Sequence, residues 1–290
     1  MLIRRTATAL AAVLTVSLTG VAGAEAPKQV SFYNHAYAVV DRETADAVEH
    51  SRYLRDFANV EVRTSSGGGL TWTGRYLYGR ETYFELFGVG DLPGKDGELG
   101  SAGLAVSTEN AGELAKVDAR LTKPVKYRQT RDFGDGVPVP WFDTTRAADK
   151  YTAFDAWVME YLPEYFADPR SKTEPASRPG DVGRERYLSD GYQNRLMRDV
   201  SGIHMAVTKE DLAISTPLFR AGGCALQSVP TGVVARCGAT TMRLDTVPRA
   251  RAGLRQIDFV LNRAVDRHEE RVGRSKLVVG PGARAVWTFA

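Results

Sequence analysis

The hydrophobic and polar pattern divides the chain into elements that follow one another in a recurring order. Residues 31–40 have the composition of a strand, and apolar positions at helical spacing over 41–58 predict a helix whose first residue is capped by Asp41. Three strand-like runs follow, at 60–64, 70–78 and 82–87, with turn residues between them. The first stretch therefore has the order β-α-β-β-β, and a glycine-rich connector over 88–100 ends it.

The same order recurs three times. The second copy predicts strands at 103–107, 124–129, 137–144 and 154–162 and a helix at 110–121; the pattern of 154–162 also suits a helical turn. The third predicts a leading helix at 184–200, a second helix at 209–220, and strands at 202–207, 224–228, 233–237 and 241–244. The fourth predicts strands at 254–261, 276–279 and 285–289 with a helix near 262–272, and it is truncated. Recurrence of one order indicates a repeat architecture.

A proline-rich stretch separates the second copy from the third. Residues 168–183 contain three prolines with serine, threonine and lysine, a composition typical of an exposed linker. The sequence therefore predicts two halves, an N-terminal domain of residues 27–167 and a C-terminal domain of residues 184–290. Its pattern sets no oligomeric state.

The first 24 residues have the features of a secretory signal peptide. Arg4 and Arg5 precede an uncharged apolar run over 6–21, and Ala22-Gly23-Ala24 offers a small-x-small cleavage site. The apolar run is short for a membrane span, which needs roughly 20 residues, so a membrane anchor is the less favoured alternative. We expect export by the Sec or the twin-arginine route, a secreted or extracytoplasmic location, and no membrane association after cleavage.

Composition narrows the class of protein. The chain has 290 residues, 43% of them hydrophobic and 25% charged, which is typical of a globular protein and excludes a wholly disordered or collagen-like one. Lys and Arg number 38 against 35 Asp and Glu, giving a net charge of +3 without a basic run. We therefore expect no nucleic-acid partner.

Two cysteines flank a turn. Cys224 and Cys237 lie on either side of residues 229–232, and a hairpin centred there places them opposite each other. A cross-strand disulfide is then expected in an oxidising compartment, worth about 3 kcal/mol by the chain-entropy estimate. Two buried free thiols are the alternative.

Three short strings add a family resemblance. They are Asn34-His35-Ala36-Tyr37-Ala38-Val39-Val40-Asp41, Tyr83-Phe84-Glu85-Leu86-Phe87 and Trp157-Val158-Met159-Glu160-Tyr161. Together with the four modules they resemble the vicinal oxygen chelate superfamily (glyoxalase I, extradiol dioxygenases, bleomycin-resistance proteins), and within it an exported glyoxalase-like family of unknown function. The resemblance implies an α+β fold in which repeated β-α-β-β-β modules pair into cupped mixed sheets. It also implies metal ligands on the first and last strand of each module.

The resemblance implies one metal site, in the N-terminal half. His35 matches the first-strand ligand, and Glu85 and Glu160 match the last-strand ligands of modules one and two. Module two has Ala102 or Gly103 where a histidine is expected. One imidazole and two carboxylates suit a divalent ion such as Fe, Mn, Ni or Zn. The alternative is that His35 is a hydrogen-bonded core residue. His204 matches in module three but lacks a partner glutamate, so we expect a structural role for it.

Alternation along 31–40 predicts what surrounds this site. Tyr33, His35 and Tyr37 share one face of the strand, and Tyr83 shares a face with Glu85. Tyr33, Tyr37 and Tyr83 are therefore candidate ligand-binding residues. Three kinds of function follow: a metal-dependent lyase or dioxygenase acting on a small molecule with vicinal oxygens, a non-catalytic small-molecule binder, or a structural protein that retains only the scaffold.

Overall fold

The computed structural model describes residues 27–67 and 70–290, so the predicted signal peptide lies outside the described residues. The N-terminal half contains β1 (Ser31–Val40), α1 (Arg42–His50), α2 (Arg52–Phe57), β2 (Asn59–Gly67), β3 (Leu70–Tyr78), β4 (Tyr83–Gly88), β5 (Ala102–Thr108), α3 (Leu114–Asp118), β6 (Val125–Arg131), β7 (Val139–Arg146), β8 (Phe154–Tyr161) and α4 (Pro163–Ala167). The C-terminal half contains α5 (Arg184–Tyr187), β9 (Met197–Val207), α6 (Lys209–Ala221), β10 (Ala225–Val229), β11 (Gly232–Cys237), β12 (Thr240–Thr246), β13 (Gly253–Val265), β14 (His268–Val272), β15 (Ser275–Val279) and β16 (Gly282–Thr288). No helix in these ranges is long and apolar enough to cross a bilayer.

Each half forms one eight-stranded mixed sheet, and the strand order of the two sheets is equivalent. The first sheet runs β2-β3-β4-β1-β5-β8-β7-β6 and the second runs β10-β11-β12-β9-β13-β16-β15-β14. In each sheet the first strands of the two modules pair antiparallel at the centre, and the last strand of the leading module lies parallel beside its first. The predicted α+β fold of paired modules with cupped mixed sheets is confirmed.

Module four departs from the repeat because it lacks a helix. The predicted helix near 262–272 is wrong: β13 extends to Val265 and turns directly into β14. In module two, α3 carries the chain across, so that β8 lies parallel to β5. Without such a crossover β16 lies antiparallel to β13, because a direct turn reverses the chain.

Three other helix predictions need correction. The helix over 41–58 is two helices, because the Ser51 side chain accepts from the amide of Leu54 and starts a second one. The helix over 110–121 is limited to α3. The helix over 184–200 is a single turn, α5, and the chain from Met197 onward alternates as β9 in pairing with β13.

One hydrophobic core is shared by both halves. Alternate residues of each sheet face the helices and join a continuous buried cluster that includes Ala36 and Ala38 of the first sheet and Ile203 and Met205 of the second. Fully buried Asp211 strengthens the junction, since its carboxylate accepts the amides of Thr152, Ala153 and Phe154 across the halves. The two sheets are therefore fixed to each other by packing and by buried hydrogen bonds.

The predicted disulfide is present. Cys224 and Cys237 are bonded with their Cα atoms 4.7 Å apart, at the base of the β10–β11 hairpin. Both cysteines are buried. The disulfide cross-links the base of that hairpin beside Ser31, the first residue of β1.

Candidate functional site

The face of the first sheet that points away from the shared core forms what we call the N-terminal cup. The strand register brings His35 opposite Tyr83, and Tyr37 opposite Glu85, across β1 and β4. On the other side of β1, His35 lies opposite Ala105, which in turn lies opposite Trp157. Alternation therefore places His35, Glu85 and Trp157 on one face, within a wall of tyrosine rings.

A bulge in β1 changes one predicted member of this wall. The β1–β5 register shifts between Tyr33 and His35, which turns Tyr33 to the core face, opposite core residue Val106. Tyr33 is fully buried there and donates its hydroxyl to the carbonyl of Tyr83. Strict alternation placed Tyr33 beside His35. The bulge separates the two, so Tyr33 does not line the cup.

The hydrogen bonds of His35 define its tautomer. The Asn34 amide group donates to Ser107 Oγ at 2.9 Å, which leaves Asn34 Oδ1 to accept from His35 Nδ1 at 2.7 Å. Burial lowers the pKa of His35 to about 3, so the ring is neutral at physiological pH. Its Nε2 therefore carries a lone pair, and the described residues supply no hydrogen-bond donor to it.

Aromatic rings hold His35 in place. The Tyr83 ring stacks on the imidazole with 4.4 Å between centroids, and the Trp157 ring meets it edge-on at 5.5 Å. Tyr37 lies next along the same face and contacts Phe87 and Trp157. Tyr37 and Tyr83 are thus brought together with His35, as the sequence predicts.

Glu85 is a half-buried carboxyl group without a hydrogen bond or ion pair to any described residue. Its strand neighbours across the sheet are Tyr37 and Tyr76. Desolvation by these surroundings raises the pKa of Glu85 to about 8, with the positive charge of Arg63 opposing the rise. The group is therefore mostly protonated at neutral pH and carries an O–H donor on the same face of the sheet as His35.

Glu160 lies on the opposite face of the sheet. It alternates with Trp157 and Tyr161 and shares the core side with Val158. Its carboxylate accepts from Thr108 Oγ1 at 2.8 Å and from the amides of Gly112 and Leu114 at 2.7 and 2.8 Å, at the start of α3. Its hydrogen bonds thus fix the helix start, and it does not join His35 and Glu85.

The metal donors implied by the family resemblance are incomplete in the cup. His35 and Glu85 are two donors, and the facing strands of module two contribute Ala105 and Trp157 instead of further ligands. No group of three or more His, Cys, Asp or Glu side chains in the described part of the chain is arranged to hold a metal ion. Since catalytic metal sites usually have three protein ligands, these residues do not fit a resident divalent metal.

One end of the cup is filled by a residue from outside the sheet. Residues 168–188, which we call the strap, cross this end, and Tyr187 of α5 stacks on Tyr161 with 4.5 Å between ring centroids. The Tyr187 ring also lies 6.2 Å from Trp141 and 6.4 Å from Tyr83. The strap is exposed over 174–180, as a linker should be, but it becomes buried from Asp181 to Arg184. Sequence reasoning missed Tyr187, because its role depends on the path of the strap.

The corresponding position in the second sheet has a different environment. His204 of β9 donates from Nε2 to the carboxylate of Asp245 in β12 at 2.8 Å. The same carboxylate also accepts from Arg243 and Thr231. This set of side chains satisfies itself. His204 is therefore held by a carboxylate of its own sheet, an arrangement that agrees with the structural role expected for it.

The modular strand order defines a protein of two paired-module halves, each built on one eight-stranded cupped mixed sheet. Residues 33–289 match the sequence profile of a family of unknown function, DUF5829, and the chain belongs to that family. No curated protein sequence matches it.

Solved structures show a likeness in fold. A hypothetical protein from Staphylococcus aureus is similar with a TM-score of 0.51 at 8% identity, over 84% of this chain and 96% of that one. The 2,3-dioxygenase LapB from Pseudomonas sp. KL28 has a TM-score of 0.43 at 12% identity, over 88% and 91%. A mutant 4-hydroxymandelate synthase from Streptomyces coelicolor has a TM-score of 0.41 at 13% identity, over 78% and 70%. At these identities the likeness concerns the fold alone.

Proposed function

We propose that this protein is exported and binds a small hydroxyl-bearing organic molecule in the N-terminal cup, without a resident metal. The observation that carries the proposal is that two polar groups lie on one aromatic face without a hydrogen-bond partner among the described residues. They are His35 Nε2 and the carboxyl of Glu85. A polar group on a desolvating aromatic face gains free energy when it meets a hydrogen-bond partner, so these two groups favour a ligand that supplies one. The disulfide agrees with an oxidising, extracytoplasmic compartment.

The two groups suit a hydroxyl because their roles are complementary at neutral pH. Neutral His35 accepts a hydrogen bond at Nε2, and protonated Glu85 donates one. A hydroxyl group both donates and accepts, so a hydroxyl-bearing ligand on this face offers a partner of the right kind to each group. The surrounding rings of Tyr37, Tyr83 and Trp157 favour a flat apolar body attached to that oxygen.

Binding is favoured over the metal-dependent enzyme and the bare scaffold for separate reasons. A metal-dependent enzyme needs at least one metal ligand besides His35 and Glu85. Glu160 does not supply it, because its carboxylate binds the start of α3. The scaffold reading predicts polar groups that satisfy one another, as His204 and Asp245 do in the second sheet. Neither describes the open polar pair of the cup.

The test is binding of p-cresol, a flat ring with one hydroxyl, followed by ligand-observed NMR at pH 6.5. The variant His35→Phe keeps an aromatic ring against Tyr83 but removes Nε2, and we expect about five- to tenfold weaker binding, the value of one hydrogen bond. His204→Phe makes the same change at the equivalent place in the second sheet and serves as the matched control. Equal affinity of His35→Phe and wild type, or no saturable binding by wild type, would contradict the proposal.

A further inference from the structure

The N-terminal cup is occupied in part by the protein itself. The rings of Tyr37, Tyr83 and Trp157 belong to strands of the sheet, whereas the ring of Tyr187 belongs to the strap. Its phenol ring stacks on Tyr161, and the next residue, Leu188, is buried against Tyr76 and Tyr83. The strap therefore inserts two consecutive side chains into the face on which a ligand would lie.

We propose that Tyr187 is an internal competitor for the ligand, and that the segment 185–188 must lift from the cup before a ligand occupies its full length. This inference rests on the proposed function and adds its regulation. Tyr187 belongs to none of the strands, so the sheet stays intact when this residue moves away from the cup. The shape that it leaves is that of one phenol ring, which is also the body expected of the ligand.

Polar groups beneath the strap support the inference. Tyr161 is fully buried, and neither its hydroxyl nor the buried indole Nε1 of Trp141 forms a hydrogen bond with any residue that the structure describes. Both residues contact the Tyr187 ring. Buried donors without partners are rare and costly, so a free ligand that turns an acceptor oxygen toward these donors gains hydrogen bonds that the tethered ring of Tyr187 does not supply.

The anchorage of the strap allows such a movement. Arg184 is buried and holds the strap through Glu109, with Nε and Nη2 at 2.9 and 2.8 Å from Oε1, and through Glu81 at 3.2 Å. Upstream, Val182 donates to the carbonyl of Glu109, and the amide of Ala111 donates to Gly180. Beyond Arg184 the contacts of α5 with the cup are ring contacts, which break without loss of backbone hydrogen bonds to the sheet.

There is also space beside the strap. A cavity of about 580 Å³ lies against it, lined by strap residues that include Arg184 and Glu185 and by Phe32, Glu81 and Tyr192. Its lining is charged, and the ion pair of Glu185 with Arg80 is exposed to solvent at its edge. The cavity therefore leaves room beside the segment 185–188 for an outward movement.

The experiment measures p-cresol affinity in wild type, Tyr187→Ala, Tyr187→Phe and Glu109→Gln. Tyr187→Ala removes the competitor and is expected to bind at least about tenfold more tightly, because the competent state becomes dominant. Tyr187→Phe keeps the ring and should bind like wild type. Glu109→Gln weakens one anchor of Arg184 while every side chain of the cup stays in place, and it should bind about two- to fivefold more tightly. Glu174→Gln, an exposed change on the strap, is the matched control and should have no effect.

Hydrogen exchange supplies a second readout. Leu188 donates its amide to Arg184, and its exchange should become faster when p-cresol is added to Glu109→Gln, since the ligand releases the segment. If only Tyr187→Ala gains affinity and Glu109→Gln binds and exchanges like wild type, p-cresol fills an artificial hole and the inference is overturned. If Glu109→Gln gains affinity but His35→Phe loses none, the strap acts as inferred and the proposed polar contacts fail instead.

Discussion

The two sheets share a strand order but differ in whether their polar side chains form hydrogen bonds with one another. On the second sheet His204 and Arg243 both bind Asp245, which also accepts from Thr231. On the first sheet neither Glu85 nor His35 Nε2 forms a hydrogen bond with any residue in the described part of the chain. Equivalent strands thus carry a closed polar network in one half and an open polar pair in the other.

The difference indicates which of the two sheets has polar groups available to a ligand. A closed network contributes to stability, because each charge has a nearby opposite charge. An open pair on a desolvating aromatic face costs stability and is retained when something else uses it. The first sheet also has the strap above it, whereas module four of the second sheet has lost the helix that its counterpart module keeps.

The largest expected effect tests the cost of the open pair. Glu85→Gln should raise the free energy of unfolding relative to wild type by about 3 kcal/mol at pH 9. This is less than the energy that corresponds to the whole pKa shift of Glu85, because the side chain is only half-buried. The pKa of Glu85 is raised in the folded state from 4.5 to about 8, so the folded protein binds the proton more tightly than the unfolded chain. Stability is therefore lost as pH rises through this interval, and the loss is complete above pH 8.

Urea unfolding at pH 5, 7 and 9 measures this difference. The two proteins should be equally stable near pH 4.5 and diverge with rising pH, since other titrating groups are common to both. Glu164→Gln, an exposed carboxyl in α4, is the control and should leave the profile unchanged. Parallel profiles for wild type and Glu85→Gln would show that Glu85 has a partner or free hydration.

The same kind of change in the second sheet should have the opposite sign. Asp245→Asn removes a carboxylate whose pKa is lowered in the folded protein. Burial raises this pKa, but the hydrogen bonds from Thr231, Arg243 and His204 stabilise the charged form and outweigh burial. We expect a loss of about 1 kcal/mol at pH 7, small because Arg243 is exposed. The loss should vanish at acid pH, as the wild-type carboxylate is protonated there. Thermal or urea unfolding measures it, and an unchanged or increased stability would remove the distinction between the two sheets.

Much of the fold is predictable because it rests on repetition and alternation. The order β-α-β-β-β recurs with turn signals, so errors in single elements leave the module count unchanged. The wrong helices at 184–200 and 262–272 have one cause: mixed polar and apolar residues fit either period, and only pairing of β9 with β13 and of β13 with β16 decides. No local pattern contains that information.

The site is predictable only as far as alternation holds. His35, Tyr37, Tyr83 and Glu85 meet because they lie on paired strands in regular register. Tyr33 is lost to a bulge that involves one residue, and the side of the sheet on which a strand end such as Glu160 lies depends on register with β7. Long-range placement of a linker residue, as with Tyr187, leaves no sequence signal at all.

The smallest expected effect concerns metal. Because the cup offers two donors where a stable site needs three, incubation with EDTA should change the melting temperature by less than about 1 °C, and elemental analysis of protein purified without chelator should show far less than one equivalent of Fe, Mn, Ni or Zn. His35→Ala and Glu85→Ala should contain the same trace amounts as wild type. A stoichiometric metal in wild type that both variants lose would mean that the cup gathers a third donor on closing around the ion. The open pair would then be a metal site, and the contrast between the two sheets would be one of metal binding instead of ligand binding.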